Sequence, residues 1–318
     1  MSPEFSLIDR FFHGETPSVT LGVGDDAALV PVTMGMDIAV STDTLVAGRH
    51  FFPDADPYGI GWKTLAVNLS DMAAMGAKPR WALLAITLPD ADEAWLASFS
   101  QGLHACAKAY HTELIGGDTT GGPLTLTVTI LGEVPTDEAL RRDLAQEGDD
   151  IWVSGWLGEA ALGLRALMGK IDLPQDALSI CRAALERPVP RVELGLALRG
   201  VAHAAIDISD GLIADLGHIL ERSNTGASLH FDWLPAHPTL AHFLPEPWAK
   251  DCLLAGGDDY ELCFTAAASR QGEIQAIADR LGIKLTRVGT IEALPGLHLY
   301  DHTGNAMPIT KGGYDHFA

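Results

Sequence analysis

Cysteine is scarce in this chain, and no two of its four (Cys106, Cys181, Cys252 and Cys263) stand in C-x-x-C spacing. That spacing argues against a zinc knuckle or a redox pair, and the four read as small buried hydrophobes in a reducing compartment. Long apolar runs are missing as well. The longest, Trp81–Leu88, falls far short of the roughly 20 residues that a membrane-spanning helix needs. The opening MSPEFSLIDRFF has no basic segment leading into an apolar run, so no signal peptide is expected. Positive charge is in short supply: 21 Lys+Arg face 42 Asp+Glu, for a net charge of −21. Such a balance repels a nucleic-acid backbone and an anionic membrane surface, so neither is an expected partner. A soluble cytoplasmic protein is the expectation.

Several catalytic signatures are also absent. The chain has no G-x-x-x-x-G-K-[ST], no H-E-x-x-H and no G-x-S-x-G, which removes the P-loop, the zincin helix and the nucleophile elbow. Two near-matches fail on physical grounds. Gly22-Val23-Gly24-Asp25-Asp26-Ala27 fits a loose dinucleotide pattern, but its two carboxylates would meet a pyrophosphate head-on, and Pro31 leaves little room for the helix. Asp54-x-Asp56 opens like a calcium loop, yet position twelve is Leu65, where a bidentate Glu is needed.

The 318 residues, 47% of them apolar, suffice for about two domains with sizeable cores. Strand-like and helix-like segments alternate. Ile38–Ser41 reads as a short strand, Tyr58–Met75 as a helix and Trp81–Leu88 as a strand. Asp92–Tyr110 carries Trp95, Phe99, Leu103 and Cys106 on one helical stripe. Glu113–Ile115 is a short strand ending at Gly116-Gly117, and Leu124–Val134 is rich in strand-favouring Thr, Val and Ile. Pro135–Asp150 then turns polar, with six acidic residues and two arginines, which places a boundary near residues 140/141. Beyond it, Ile151–Ser154, Ala204–Ile208, Leu262–Thr265 and Lys284–Val288 read as strands. Gly158–Met168, Gly211–Arg222 and Gln271–Leu281 read as helices. A mixed α/β architecture in both halves follows.

What the chain does have is a series of aspartates in short polar motifs. They are Asp25-Asp26 in GVGDD, Asp43 in STDT, Asp71 in NLSD, Asp118 in IGGDTT, Asp207 and Asp210 in AIDISDG, and Asp258-Asp259 in GGDDYE. Mg²⁺ prefers hard oxygen donors near octahedral geometry and usually keeps some waters. Carboxylates supply such oxygens, and Ser41, Thr42 and Ser209 stand beside them with hydroxyls or carbonyls. Glycines such as Gly24, Gly116, Gly117 and Gly211 let a backbone approach a phosphate. Carboxylates gathered in one cleft need cations between them. That arrangement suits phosphoryl transfer in a chain without a Walker lysine.

Taken together, GVGDDAAL, STDTLVAGRHF, AVNLSDMAAMGA, IGGDTT, IDISDGL, GGDDYELCF and the terminal KGGYDHF resemble the thiamine-monophosphate kinase family, part of the larger group related to aminoimidazole ribonucleotide synthetase. The motifs occur in order from Phe5 to Phe317. The resemblance implies a two-domain α/β subunit with an aminoimidazole ribonucleotide synthetase-like fold. Residues 1–140 would form the ATP/Mg-binding, dimerising domain, and residues 141–318 a C-terminal domain packed against it. It also implies ATP-dependent phosphorylation of thiamine monophosphate to thiamine diphosphate, with several Mg²⁺ ions, in a homodimer. By likeness, Asp26, Ser41, Thr42, Asp43, Asp71, Asp118, Asp207 and Asp210 match metal-coordinating positions. Tyr110, Gly117, Asp118, Arg142 and Ser209 match ATP-contacting positions. His50, Asp258 and Tyr314 match positions that hold the thiamine phosphate. Asp258 departs from the family, which often carries Glu there. Because the attacking phosphate oxygen is already ionised, no acid/base residue is assigned, and Asp43, Asp71 and Asp210 are expected to matter most. The alternatives are an ATP-dependent synthetase of the same superfamily and a non-catalytic protein that binds Mg²⁺ and ATP. The N-terminal reactive cysteine of selenophosphate-synthetase-like relatives is absent, since no cysteine precedes Cys106.

Overall fold

The computed structural model describes residues 7–23 and 26–314. Gly24, Asp25 and residues 315–317 of the terminal motif lie outside the described residues. The chain divides into two compact units, one of residues 1–72 and 77–137, the other of residues 73–76 and 138–318.

Among the described residues, the first unit is a four-stranded sheet with two α-helices and a short π-helical turn at Ile8–Phe12. Its strands are β1 (Met36–Val46), β2 (Lys78–Leu88), β3 (Glu113–Gly121) and β4 (Thr125–Pro135), in the order β1-β4-β2-β3. β4 pairs antiparallel with β1 and β2, while β2 and β3 run parallel. One sheet face carries Leu45, Leu84, Ile86, Leu126, Val128 and Ile130, all buried. Against this core lie the helices α1 (Pro57–Ala74) and α2 (Glu93–Ala109). α1 starts where chemistry allows it: Asp56 accepts the N–H groups of Tyr58 and Gly59 at 3.3 Å each, and proline, which lacks a donor, takes the first helical position. Asp92 caps α2 in the same way, through Ala94 and Trp95.

The two helices meet backbone to backbone. A methyl group on Gly61 would stand 2.0 Å from the Phe99 carbonyl oxygen, and one on Gly102 would stand 1.9 Å from that of Tyr58. Only glycine permits so close a crossing. It buries Leu65, Leu69 and Met72 of α1 and Leu96, Phe99, Leu103 and Cys106 of α2, each large side chain contributing about 1.5–3 kcal/mol.

The second unit is a seven-stranded sheet in the order β11-β10-β7-β9-β5-β8-β6. Its strands are β5 (Asp149–Ser154), β6 (Ala204–Asp207), β7 (Gly226–His230), β8 (Leu262–Ala267), β9 (Leu285–Glu292), β10 (Gly296–Tyr300) and β11 (Ala306–Met307). All pairs are antiparallel except β7 with β10. Its helices are α3 (Glu159–Leu167), α4 (Gln175–Glu186), α5 (Val192–Leu198), α6 (Leu212–Ser223), α7 (Pro238–Ala241), α8 (Pro247–Ala255) and α9 (Gln271–Leu281). A core of Ile151, Val153, Leu162, Ile206, Leu216, Ile219, Leu253 and Cys263 joins the sheet to α3, α6 and α8. Cys106, Cys181, Cys252 and Cys263 are all free and buried, as their composition suggested.

Two sequence expectations need correction. β1 extends over 36–46 rather than 38–41: past Ser41 the pairing with β4 continues through Thr42 and Thr44 on the sheet's open face, where threonine is tolerated. β3 does not end at Gly116-Gly117 but continues to Gly121. The glycines follow a bulge at Ile115 instead of a stop: the register against β2 passes from Ala82↔Leu114 to Leu83↔Gly116. There Gly117, at φ +151°, places its Cα so close to β2 that a methyl group would lie 1.8 Å from the Leu84 carbonyl oxygen.

Candidate active site

In the first unit, three expected residues come together on the helix side of the sheet. Ser41 and Asp43 alternate along β1, and Ser41 Oγ donates to Asp71 Oδ2 at 2.5 Å. The Asp43 N–H donates to Asn68 Oδ1 at 3.2 Å. Asn68 is fully buried and is itself fixed by donating to the Thr64 carbonyl at 3.1 Å. Sequence reasoning assigned Asn68 no role, although a polar residue on an otherwise apolar helical face is a readable signal. Asp71 lies in the last turn of α1. An anion there opposes the helix dipole, so its place is not explained by helix stability.

Thr42 and Asp118 lie elsewhere in the same sheet. Thr42 shares a bond of 2.6 Å with Thr129 on the open face, opposite Ser41 and Asp43, so its hydroxyl is turned away from Asp71. Asp118, on β3, pairs with Ala85 of β2 and is exposed. Three strand spacings separate β3 from β1, about 14 Å at 4.8 Å each. One copy of the sheet therefore does not bring Asp118 to Asp43. Asp26 is exposed beyond the undescribed step at 24–25.

His50 ends the tight loop after β1. Its Nδ1 accepts the Val46 N–H at 2.9 Å, so the neutral ring carries its proton on Nε2. Lys63, buried on α1, donates to the His50 carbonyl at 3.3 Å. Tyr110 terminates α2 and meets Trp62 edge-on, with ring centroids 6.4 Å apart.

The second unit holds a separate group. Asp207 ends β6 and is buried, and Ser209 and Asp210 follow, half-buried. Asp215 on α6 accepts the N–H groups of Ser209, Asp210 and Gly211 at 3.0, 3.1 and 3.1 Å. Burial first, then repulsion from Asp207 and Asp210, lifts Asp215 to about 7 against those bonds. The GGDDYE loop lies alongside. Asp258 and Tyr260 hold left-handed backbone at φ 67° and 49°, a conformation that persists only when surroundings impose it. Here the Asp258 N–H is bound to the Ser209 carbonyl (2.9 Å) and the Tyr260 N–H to that of Ile208 (2.8 Å). The Tyr260 hydroxyl donates to Asp258 Oδ1 at 3.1 Å. Asp259 accepts the Gly158 N–H through both oxygens, and burial pushes it well above the usual carboxylate range. Glu261 is spoken for by Arg191, at 2.5 and 2.6 Å, and by Ser154. The Tyr314 N–H donates to the Asp210 carbonyl at 3.1 Å, with its ring partly exposed. Of the two neighbouring arginines, Arg141 is paired with Asp143. Arg142 is exposed, and its backbone carbonyl accepts the Ser223 hydroxyl.

Among the described residues, no three His, Cys, Asp or Glu side chains are placed to hold a metal ion by themselves. Nor is any helix among them long and apolar enough to cross a membrane.

Comparison with known proteins bears on both units. Residues 24–134 match the family described as AIR synthase related protein, N-terminal domain, and residues 146–302 its C-terminal domain. The chain is 46% identical to the thiamine-monophosphate kinase of Salmonella typhimurium, over 99% of this chain and 98% of that protein. The chain belongs to the thiamine-monophosphate kinase family. Its likeness to the Bacillus subtilis member is 35% over 99% of both chains. Among solved structures, the thiamine-monophosphate kinase of Stenotrophomonas maltophilia superposes with a TM-score of 0.85 at 50% identity, over 92% of this chain and 93% of that one. AaThiL complexed with AMPPCP and TMP superposes at 0.80 with 28% identity, over 98% and 96%. The expected family and two-domain fold are thus borne out. Hydrogenase maturation protein HypE, at 21% identity and a TM-score of 0.74, shares the fold.

Proposed function

We propose that this chain transfers the γ-phosphoryl group of ATP to the phosphate of thiamine monophosphate, releasing ADP and thiamine diphosphate. The observation that carries the reading is the likeness, over almost the whole length of both chains, to AaThiL complexed with AMPPCP and TMP. The transfer is direct and in line. A phosphate oxygen of thiamine monophosphate forms the new P–O bond as the bond from the γ-phosphorus to the β–γ bridging oxygen breaks. That oxygen is ionised at neutral pH, so no side chain has to remove a proton. Catalysis is a matter of positioning and charge.

The donors fit Mg²⁺. Asp26, Ser41, Asp43, Asp71, Asp118, Asp207 and Asp210 offer only hard oxygens, with Thr42 contributing through its backbone. Mutual repulsion among Asp207, Asp210 and Asp215 is the electrostatic state that a bound cation relieves. Mg²⁺ typically takes one or two carboxylates plus phosphate oxygens and water rather than an all-protein cage. When bound, it would neutralise charge on the phosphates.

The chain's own groups do the rest. Gly117 lets backbone approach the nucleotide, Ser209 and Arg142 hold its phosphates, and Tyr110 borders the adenine. His50 donates from Nε2 to the acceptor phosphate. Asp258, oriented by Tyr260, offsets the thiazolium charge. Tyr314 stacks on an acceptor ring, a cation–π contact worth about 0.5–2 kcal/mol.

The functional form is a homodimer. Its supporting feature is the open face of the first sheet, where Val40, at 60% exposure, neighbours Thr42, Thr44, Leu131, Thr129, Thr127, Leu83 and Ala85. A face dominated by these uncharged side chains suits burial against a second copy. Thr42 and Asp118 share that face.

The deciding experiment is a coupled ADP-release assay with ATP and thiamine monophosphate, with and without Mg²⁺, and mass analysis of the product. Mg²⁺-dependent release with thiamine diphosphate as product is expected. No release would end the kinase reading.

A further inference from the structure

The kinase reading gives Asp215 no task, yet this side chain is only 3% exposed and carries an unusual load. Its Oδ2 takes the amide hydrogens of Ser209, Asp210 and Gly211. An ordinary cap bonds amides inside its own helix. Here the donors precede α6, whose N-cap is Gly211.

The carbonyls of the same stretch are occupied in turn. Ile208 accepts from the Tyr260 N–H at 2.8 Å, Ser209 from that of Asp258 at 2.9 Å and Asp210 from that of Tyr314 at 3.1 Å. These are the other ends of the same three peptide groups. In a planar trans peptide the N–H and C=O point in opposite directions. Three successive peptide planes are therefore gripped from both sides: by Asp215 on one, and by the Asp258, Tyr260 and Tyr314 backbones on the other. Hydrogen bonds chained through a peptide group also reinforce each other.

The gripped stretch and the backbones that hold its carbonyls carry side chains with different partners in the kinase reading. Ser209 and Asp210 belong to the nucleotide and its metal, and Asp258 and Tyr314 to the acceptor. We propose that Asp215 is a positioning residue: by fixing these three peptide planes, it sets the spacing between nucleotide-facing and acceptor-facing groups. This rests on the kinase reading of the site. A shift of about 1 Å in such spacing can lower turnover about 100-fold.

The test uses the full-length protein and Asp215→Asn, which keeps the shape and removes the charge. The expected result is a fall of about 10- to 100-fold in kcat, with KM raised for both ATP and thiamine monophosphate, at a temperature well below the variant's melting transition. A role confined to helix stability would lower the melting temperature and leave kcat and both KM values in place, which would overturn the proposal. Amide exchange on the wild-type protein is the second measurement, and it stands if the variant does not fold. Residues 209–211 should exchange at least about 1,000-fold more slowly than free loop amides, and exchange at loop rates would overturn the clamp. Wild-type protein that releases no ADP with thiamine monophosphate removes the kinase reading, while the exchange result still reports on Asp215 separately.

Discussion

Replacing Asp71 with Asn separates the carboxylate's chemistry from its place in the fold. The amide has nearly the same shape, so α1 and the Ser41 hydroxyl need not move. Two stability effects oppose each other. The 2.5 Å bond from Ser41 loses its charge assistance, at a cost of about 1 kcal/mol. Removing an anion from the last turn of α1 relieves about 0.3–1 kcal/mol of dipole repulsion. The melting temperature should therefore stay within about 3 °C of wild type, since 1 kcal/mol corresponds to roughly 2–4 °C in a protein of this size class. Catalysis has no such cancellation. Charge stabilisation of a phosphoryl-transfer transition state through a metal-bound carboxylate amounts to several kcal/mol. A loss of about 3–5 kcal/mol is about 10²–10⁴-fold in kcat. Coupled ADP release at saturating thiamine monophosphate and Mg²⁺ measures it, alongside a thermal melt. Turnover within about threefold of wild type in a normally melting variant would refute the assignment of Asp71.

Gly117→Ala should lower the unfolding free energy by about 2–4 kcal/mol in urea titration, because the new methyl meets the Leu84 carbonyl backbone and no side chain can yield. An unchanged midpoint would show that β3 does not approach β2 so closely at Gly117. Burial raises the Glu133 carboxyl, but Thr33 and the Arg80 guanidinium outweigh it and hold it below its ordinary value. That stabilisation is present at neutral pH and disappears as acidity increases through the depressed folded value, so Glu133→Gln should flatten the acid limb of melting temperature against pH. A limb as steep as wild type would assign the acid sensitivity to other groups. Val40→Asp, on the open sheet face, should convert a dimer to a monomer in sedimentation velocity, and a dimer of unchanged affinity would place the subunit contact elsewhere.

Much of the framework was legible before any coordinates. The helix expected at 58–75 is found at 57–74 and that at 92–110 at 93–109, because apolar residues at helical spacing mark both. α4 went unread because, of its residues, only Cys181 and Leu185 are buried, too few to show a period. β10 escaped as a short GLHLY segment whose histidine breaks the apolar pattern. At the site, the aspartates were legible as a set but not by location. Asp43 and Asp118 sit within strands, past the ends of the shorter strands expected there, while Asp71 falls inside the helix expected over 58–75. The sheet order that parts Asp118 from Asp43 is a property of strand pairing and leaves no trace in local spacing. Asp215 was invisible for a related reason: an aspartate five residues into a helical motif looks like solvated surface until its three amide partners are seen.

β1 and β4 stay in register without a break from Met36↔Pro135 to Val46↔Thr125, and Ser41 and Asp43 ride on that ladder. His50 hangs from the loop beyond its end. The stiff ladder and the adjustable loop answer to different pressures. In the proposed kinase, remodelling that loop would retune the preference among phosphorylated acceptors, while the ladder keeps the spacing of Ser41 and Asp43 unaltered.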